Sequence, residues 1–358
     1  MTDVPDSDEF ELSVFGGGYG ESICAHVGSG IWIVVDSCLH PESGNPVALD
    51  YLGELGVEID KLVGLVLVTH WDDDHIRGIS KIVEVCSSSR VAVSGALRSK
   101  EAIAFILSQE SASTASGSGV DELRKILETC RKTGRLTFAK TNLPLFPIPP
   151  GSDPNVTALS PSEDSCTRSI EWLIGAAFSA DITVARRYKA PDTPNGASVA
   201  SYVKALGSQV LLGADLEVST NPLAGWKAVV DYAKPSDQSI AIKIPHHGSV
   251  TGHDDLIWTE LMAPDSLAIV TPWNRGRGHL PGEEDLDRIR SVAKDVYITA
   301  MPRLRRVHKT AEVDRLINRL HGRDLHELRG WGHVRARRKY GEDGWRVEKF
   351  GDAELVSV

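Results

Sequence analysis

The sequence predicts a layered α/β protein, an αββα four-layer sandwich with two sheets face to face and helices outside. Three observations predict it. The chain opens on short alternating segments separated by glycines, Glu11-Leu-Ser-Val-Phe15, Ser22-Ile-Cys-Ala-His-Val27 and Ile31-Trp-Ile-Val-Val35, which read as a β-meander. The run Leu62-Val-Gly-Leu-Val-Leu-Val68 is almost wholly apolar, as in a strand covered on both faces. After a long middle stretch a second β-rich half begins, with strands at 156–159, 198–206 and 209–212.

The remaining elements follow in order. Pro46 to Leu55 has helical spacing, a helix is expected over Ile76–Val85, and Arg90-Val-Ala-Val-Ser94 reads as a strand. A helix around Lys100–Leu107 leads into Ser111-Ala-Ser-Thr-Ala-Ser-Gly-Ser-Gly119, whose composition is that of a flexible loop. Residues 121–133 form a strongly amphipathic helix with Asp121 at the end that favours negative charge, and Arg135–Ala139 returns to a strand. Near the C-terminus, Ala311–Leu320 is helical, and Gly332–Tyr340 with Gly344–Phe350 reads as a hairpin turning at Gly341-Glu-Asp-Gly344. Alternation there puts His333, Arg335 and Arg337 on one face and Val334 and Ala336 on the other.

Composition narrows the class. At 358 residues, 41% hydrophobic and 25% charged, the chain can bury a sizeable core. No stretch has the ~20 uninterrupted apolar residues of a membrane span, and the acidic start, Met-Thr-Asp-Val-Pro-Asp, is unlike a signal peptide, so no membrane contact and a cytoplasmic location are expected. The five cysteines are scattered with no C-x-x-C pair, which excludes a disulfide framework or zinc ribbon and leaves them as small buried apolar side chains. Net charge is −10, yet residues 301–340 carry twelve Lys/Arg against four acidic groups, and that +8 segment leaves the rest of the chain at −18. A basic segment on an acidic body fits either a polyanionic partner or a solvated face.

The chemistry concentrates in Leu67-Val-Thr-His70-Trp-Asp72-Asp-Asp74-His75. Carboxylates crowded at a strand end repel one another unless a cation is present, so a metal site is the simplest explanation. A helix N-cap cluster would account for the aspartates and leave both histidines unexplained. Two further apolar strands deliver ligand types at their ends, Gln209-Val-Leu-Leu-Gly-Ala-Asp215-Leu-Glu217 and Ile242-Lys-Ile-Pro-His246-His247-Gly-Ser249. Each alone is weak; together they are specific, because loops at one end of a rigid sheet can converge. Gly16-Gly-Gly-Tyr-Gly20 lacks the G-K-[ST] ending of a phosphate loop and reads as a hairpin turn. Trp71 fits a pocket wall or a core anchor, and His26, His40 and His253 have no evident partners.

These residues resemble the metallo-β-lactamase fold hydrolases, and within them the branch typified by the hydrolase domain of ComEC-type DNA-uptake proteins, with a looser likeness to phosphorylcholine esterase. The resemblance spans about residues 10–300. It is carried by Gly18-Tyr-Gly-Glu21-Ser-Ile, similar to that branch's Gly-x-Gly-Asp; by Asp36; by His70-x-Asp72-x-Asp74-His75; by Asn195 and Ser198; by Gly213-Ala-Asp215; by Pro245-His246-His247-Gly248-Ser249; and by Asn274-Arg-Gly-Arg-Gly-His279. The chain departs from the family pattern in four places. Asp72 stands for the second His of H-x-H-x-D-H, Asn195 and Ser198 occupy the region of a separate ligand His, Glu21 replaces Asp, and one extra residue separates Gly213 from Asp215.

The resemblance implies a catalytic domain over 1–300; beyond 301 the likeness fades, and the helix and hairpin there are expected to form a small basic C-terminal extension, 301–358, packed beside it. It implies two divalent cations, Mn²⁺ or Zn²⁺ with Mg²⁺ also admissible, one held by His70, Asp72 and Asp215 and the other by Asp74, His75, Asp215 and His247. Three carboxylates against two such ions leave a charge of about +1, suited to a phosphodiester, and a pair of ions ~3.5–4 Å apart activates water for hydrolysis. Asp74, His246 and His279 are the catalytic candidates, the two histidines because a pKa near ~6.5 suits phosphate contact or proton donation. Asp36 and Glu217 are expected to orient histidines, and Asn195, Ser198, Ser249, Arg335 and Arg337 to bind substrate. The implied function is a nuclease acting on DNA. The alternatives are a phosphodiesterase for a small or cyclic nucleotide, and an effector subunit active only with a partner protein, as in a bacterial defence or DNA-handling system.

Overall fold

The computed structural model of the chain describes residues 3–99, 103, 119–146, 153–178, 195–275, 278–302 and 330–357. The expected meander forms as β1 (Glu9–Gly16), β2 (Glu21–His26) and β3 (Trp32–Val35), antiparallel in turn, with the glycine-rich segment as the β1–β2 turn. β4 (Val63–Val68), β5 (Arg90–Ser94) and β6 (Leu136–Ala139) continue that sheet in parallel. The second sheet begins with antiparallel β7 (Leu143–Phe146), β8 (Asn155–Ala158), β9 (Ser201–Ala205) and β10 (Ser208–Leu212). It continues in parallel through β11 (Ser239–Lys243), β12 (Met262–Val270) and, after the small hairpin β13 (Trp273–Arg275) and β14 (Gly278–Leu280), β15 (Asp295–Ile298).

Three apolar layers make this a helix–sheet–sheet–helix stack. One, with Val66, Ile79, Ile82, Ile126 and Leu127, lies between the outer face of the first sheet and its covering helices. A second, with Leu12, Ile33 and Leu65 meeting Val203, Val210 and Ile269, joins the two sheets. The third packs Trp226, Val229 and Ile289 on the outer face of the second sheet. Each expected four-layer element therefore has a buried apolar stripe that accounts for it. The helix Gly119–Thr133 buries Leu123, Ile126, Leu127 and Cys130, the one-sided spacing read from the sequence. All five cysteines are free and buried. Among the described residues no helix is long and apolar enough to cross a membrane. The expected segments at 100–107, 111–118 and 311–320 lie outside the described residues, Ile103 apart.

Two expectations need correction. The helix foreseen over 76–85 is two, Asp73–Ile76 and Ile79–Val85, because Gly78 turns left-handed (φ 78) between them. The short first turn carries Asp74 and His75 inward.

The C-terminal hairpin is also not an appendage beside the fold. β16 (Gly332–Lys339) pairs along its whole length with β1, β17 (Arg346–Gly351) forms the sheet edge beyond it, and β18 (Glu354–Leu355) pairs with β15 in the other sheet. Alternation put His333, Arg335 and Arg337 on one face, and that face is covered. Arg337 Nε donates to Glu11 Oε2 at 2.7 Å and its Nη1 to Asp3 Oδ2 at 2.8 Å. Arg335 Nε donates to Glu348 Oε2 at 2.9 Å and its guanidinium lies over the Phe350 ring. Neither is available to a substrate: both are buried and ion-paired, Arg335 at 2% exposure and Arg337 at 1%.

A buried charge stripped of its partner is costly. Arg337→Met should therefore lower stability by about 3–5 kcal/mol in urea unfolding, while Lys61→Ala, which breaks an exposed pair, leaves the urea midpoint at the parent's value.

Candidate metal centre

The site gathers where parallel strands end. Asp36 follows β3, His70–His75 follow β4, Asp215 follows β10, His246 and His247 follow β11, and Thr271 follows β12. In open α/β sheets the crevice beyond the strands' carboxyl ends is where ligands sit.

Asp36 ties the first of these loops to the second. Its carboxylate accepts from Thr69 N at 2.8 Å, from Thr69 Oγ1 at 2.7 Å and from His75 Nδ1 at 2.8 Å. Holding Nδ1 turns the other edge of the His75 ring inward, where Nε2 lies 3.3 Å from Asp215 Oδ1. His247 is built alike: Nδ1 lies 3.2 Å from the Thr271 carbonyl, and Nε2 is 3.3 Å from Asp74 Oδ2 and 3.5 Å from Asp215 Oδ2. His70 Nδ1 lies 2.9 Å from Thr69 Oγ1, leaving Nε2 4.0 Å from Asp215 Oδ2.

The Nε2 atoms of His70, His75 and His247 and Oδ1 of Asp215 are buried without a hydrogen-bond partner. Four orphaned donor atoms converging in one place are expensive unless something binds them, and imidazole nitrogens with carboxylate oxygens are the donor types of a divalent metal. The residues fit the implied cations. Donor atoms of Glu21, His75, Asp215 and His247 all lie within 4.8 Å of one another.

Electrostatics point the same way. Burial pushes His70 down to about 3, with the neighbouring His75 adding to the effect. Burial opposes charge on Asp215 and Asp74 too, but His75 and His247 hold both carboxyls below their usual range. His75 is raised despite burial, by Asp215, Glu21 and the hydrogen bond to Asp36.

Asp72 stands at the start of the 73–76 turn but makes no capping hydrogen bond, so helix capping does not explain it. It lines a cleft of about 470 Å³ together with Asp74, Asn195, Asp215, His246 and His247, walled by Tyr19, Trp71 and Trp273. Trp71 also packs on the core, so both expectations for it hold.

Other candidates are distributed differently. His246 faces the cleft, with Nδ1 2.9 Å from Thr251 Oγ1 and 3.0 Å from Glu217 Oε1, and Nε2 3.2 Å from Asn195 Nδ2. Glu217 therefore stands against the Nδ1 edge of His246. His279 lies beside the cleft residue Leu280 and is held by Asn274 Oδ1 at 3.0 Å. Two substrate-binding expectations fail: Ser198 is fully buried away from the cleft, and the Ser249 hydroxyl accepts from Thr251 N to cap the turn at 250–252. His26, His40 and His253 have local partners, respectively the Glu9 carbonyl, the Glu42 and Ser43 amides, and Asp255. Sequence reasoning missed Lys243 and Thr271, and it met Glu21 only as a motif departure. Their signal was a charged or polar residue at the end of an otherwise apolar strand.

No protein-family model matches this chain, and no curated protein does. Solved structures do. The metallo-β-lactamase fold protein YhfI from Bacillus subtilis is 14% identical, over 81% of this chain and 96% of that one, with a TM-score of 0.43. The chain is similar to metallo-β-lactamase fold proteins. MEM-A1, a subclass B3 metallo-β-lactamase isolated from a soil metagenome library, is 14% identical over 70% of this chain and 81% of that one, TM-score 0.35. Rm3 metallo-β-lactamase is 14% identical over 67% and 78%, TM-score 0.35.

Asp72 titrates abnormally in the metal-free protein: burial and then the Asp74 charge push it up to about 7. Its neutral form is favoured in the fold, so that contribution is full below the ordinary carboxyl range and lost as pH rises through about 7. With chelator present, Asp72→Asn should match the parent in denaturant unfolding at pH 4 and exceed it at pH 8, by up to about 4 kcal/mol.

Proposed function

We propose that the chain is a metal-dependent hydrolase of phosphodiester bonds, acting on DNA as a nuclease. The observation that carries the reading is the convergence of the buried His70, His75 and His247 Nε2 atoms on Asp215, which with Asp74 and His247 lines one cleft. His70, Asp72, Asp74, His75, Asp215 and His247 would hold two divalent cations, and a mixed nitrogen and carboxylate set favours Mn²⁺ or Zn²⁺ over Mg²⁺. Such ions supply Lewis acidity and bring the pKa of water toward neutrality.

The protein's own groups have separate tasks. Asp215 lies within reach of all three imidazoles, so it would contribute to holding whichever cation they bind. His246 keeps its Nδ1 proton against Glu217 and accepts from Asn195 Nδ2 at Nε2, so it meets the cleft as a proton acceptor; once protonated at Nε2 it would give up the Asn195 contact and could pass that proton to the leaving oxygen. His279 is the second candidate donor, kept in orientation by Asn274.

A specific observation favours a second reading, a small or cyclic nucleotide. Arg335 and Arg337 are spent on internal ion pairs, and three aromatic side chains, Tyr19, Trp71 and Trp273, wall a cleft of about 470 Å³, suited to stacking a base.

Asp74→Ala and His75→Ala should each reduce Mn²⁺-dependent cleavage at least about 10³-fold, a loss of about 4 kcal/mol in barrier lowering, with the circular dichroism spectrum unchanged. Turnover of DNA and of bis(p-nitrophenyl) phosphate, measured with Mn²⁺, Zn²⁺ and Mg²⁺ after chelation, separates the two readings. Cleavage of the small ester without DNA cleavage selects the second, and full activity in both variants overturns both.

A further inference from the structure

Beneath the histidines lies an ion pair that the proposed chemistry does not use. Glu21 opens β2 in the first sheet and Lys243 closes β11 in the second; they are 1% and 0% exposed and form a close pair across the interface between the sheets. Thr271, at the end of β12, donates its hydroxyl to Glu21 Oε2. Gly20 permits the approach: a Cβ there would lie 2.7 Å from Cys38 Cβ and 3.2 Å from the Asp74 carbonyl. A buried ion pair is weak evidence for stability, since apolar residues of similar volume often serve as well or better. Its position calls for another account.

Glu21 sits between two ligand rings. Its Oε1 is 3.7 Å from His75 Nδ1 and its Oε2 is 3.7 Å from His247 Nδ1, on the edges away from the orphaned Nε2 atoms. A ring that binds a cation through Nε2 carries its proton on Nδ1, and an anion on that side makes the ring a better donor. The carboxylate is also close enough to the donor set to enter it.

We propose that Glu21 is a positioning residue shared by His75 and His247, and that Lys243 and Thr271 hold its carboxylate behind the rings and out of the coordination sphere. This rests on the metal-dependent reading above. One residue then adds to the basicity of two ligands that come from different sheets, and Lys243 supplies the fixed cation that lets a further acid stand near Asp215.

The test uses the full chain, freed of metal and titrated with Co²⁺ alone, following affinity by chelator competition and coordination by visible absorption. Glu21→Gln should weaken Co²⁺ binding about 10–100-fold. Lys243→Met frees the carboxylate, and its Co²⁺ spectrum should shift toward more oxygen ligation. The double variant Glu21→Gln/Lys243→Met buries no charge, which keeps the test alive if Lys243→Met does not fold; it should bind weakly with the parent's spectrum. Parent-like affinity in Glu21→Gln or in the double variant overturns the inference while leaving the metal site standing, as does a parent-like spectrum in a folded Lys243→Met. A parent protein that binds no Co²⁺ overturns both.

Discussion

The contact on which the site depends is the line from Asp36 through His75 to Asp215. Asp36 grips His75 Nδ1 at 2.8 Å, and His75 Nε2 reaches Asp215 Oδ1 at 3.3 Å. The first carboxylate ends a strand of one sheet, the imidazole follows the next strand of that sheet, and the second carboxylate ends a strand of the other. All three are buried, where an unpaired ionised group costs several kcal/mol. Their charges are therefore affordable only together, and the two sheets are held in one relation at the point where chemistry would occur.

The backbone carries strain in the same place. Among the described residues eight non-glycine residues have positive φ, and four of them, Asp36, Ala214, His246 and His247, lie at this centre. Each such conformation costs about 1–3 kcal/mol and persists only where its surroundings fix it. Here they do. Asp36 N donates to the Leu67 carbonyl, Gly213 N to the Lys243 carbonyl, and His246 N to the Ala214 carbonyl. Gly213 has no room for a side chain, because a Cβ would lie 2.6 Å from Pro245 Cγ. The loops bearing Asp215 and His247 are thus laced to each other, which fixes their side chains more tightly than free turns could.

What was legible in the sequence was local. Six consecutive positions, His70 to His75, announce themselves because like charges at a strand end need a reason, and the apolar runs before Asp36, Asp215 and His247 mark those residues as strand-end groups. Pairings between distant segments were not legible. Glu21 and Lys243 meet across both sheets, and Arg337 meets Glu11 and Asp3 from the opposite end of the chain. Periodicity correctly assigned Arg335 and Arg337 to one face, but a face is exposed or buried according to what covers it, and Asp3, Glu11 and Glu348 cover this one. The hairpin reading failed for the same reason: a strand pattern does not say which edge the strand will join. Ser249 was misread because a hydroxyl caps a nearby turn as readily as it meets a ligand, and Ser198 because its place in the sequence does not say that its side chain will be buried.

The charge asymmetry of the chain acquires a different meaning in three dimensions. The four described cations of the basic stretch, Arg335, Arg337, Arg338 and Lys339, each face an acidic side chain, and three of those partners, Asp3, Asp6 and Asp8, come from the acidic N-terminal segment. Among the described residues, opposite charges from the two ends of the sequence pair along β1 and β16. The cleft, by contrast, presents Asp72, Asp73, Asp74 and Asp215, with no lysine or arginine among its described lining residues. An acid-lined cleft repels an anionic substrate at close range. Under the proposed reading, cations gathered by its own carboxylates and imidazoles would supply the attraction for a phosphate group, and binding the metal and binding the substrate would be successive consequences of one buried cluster.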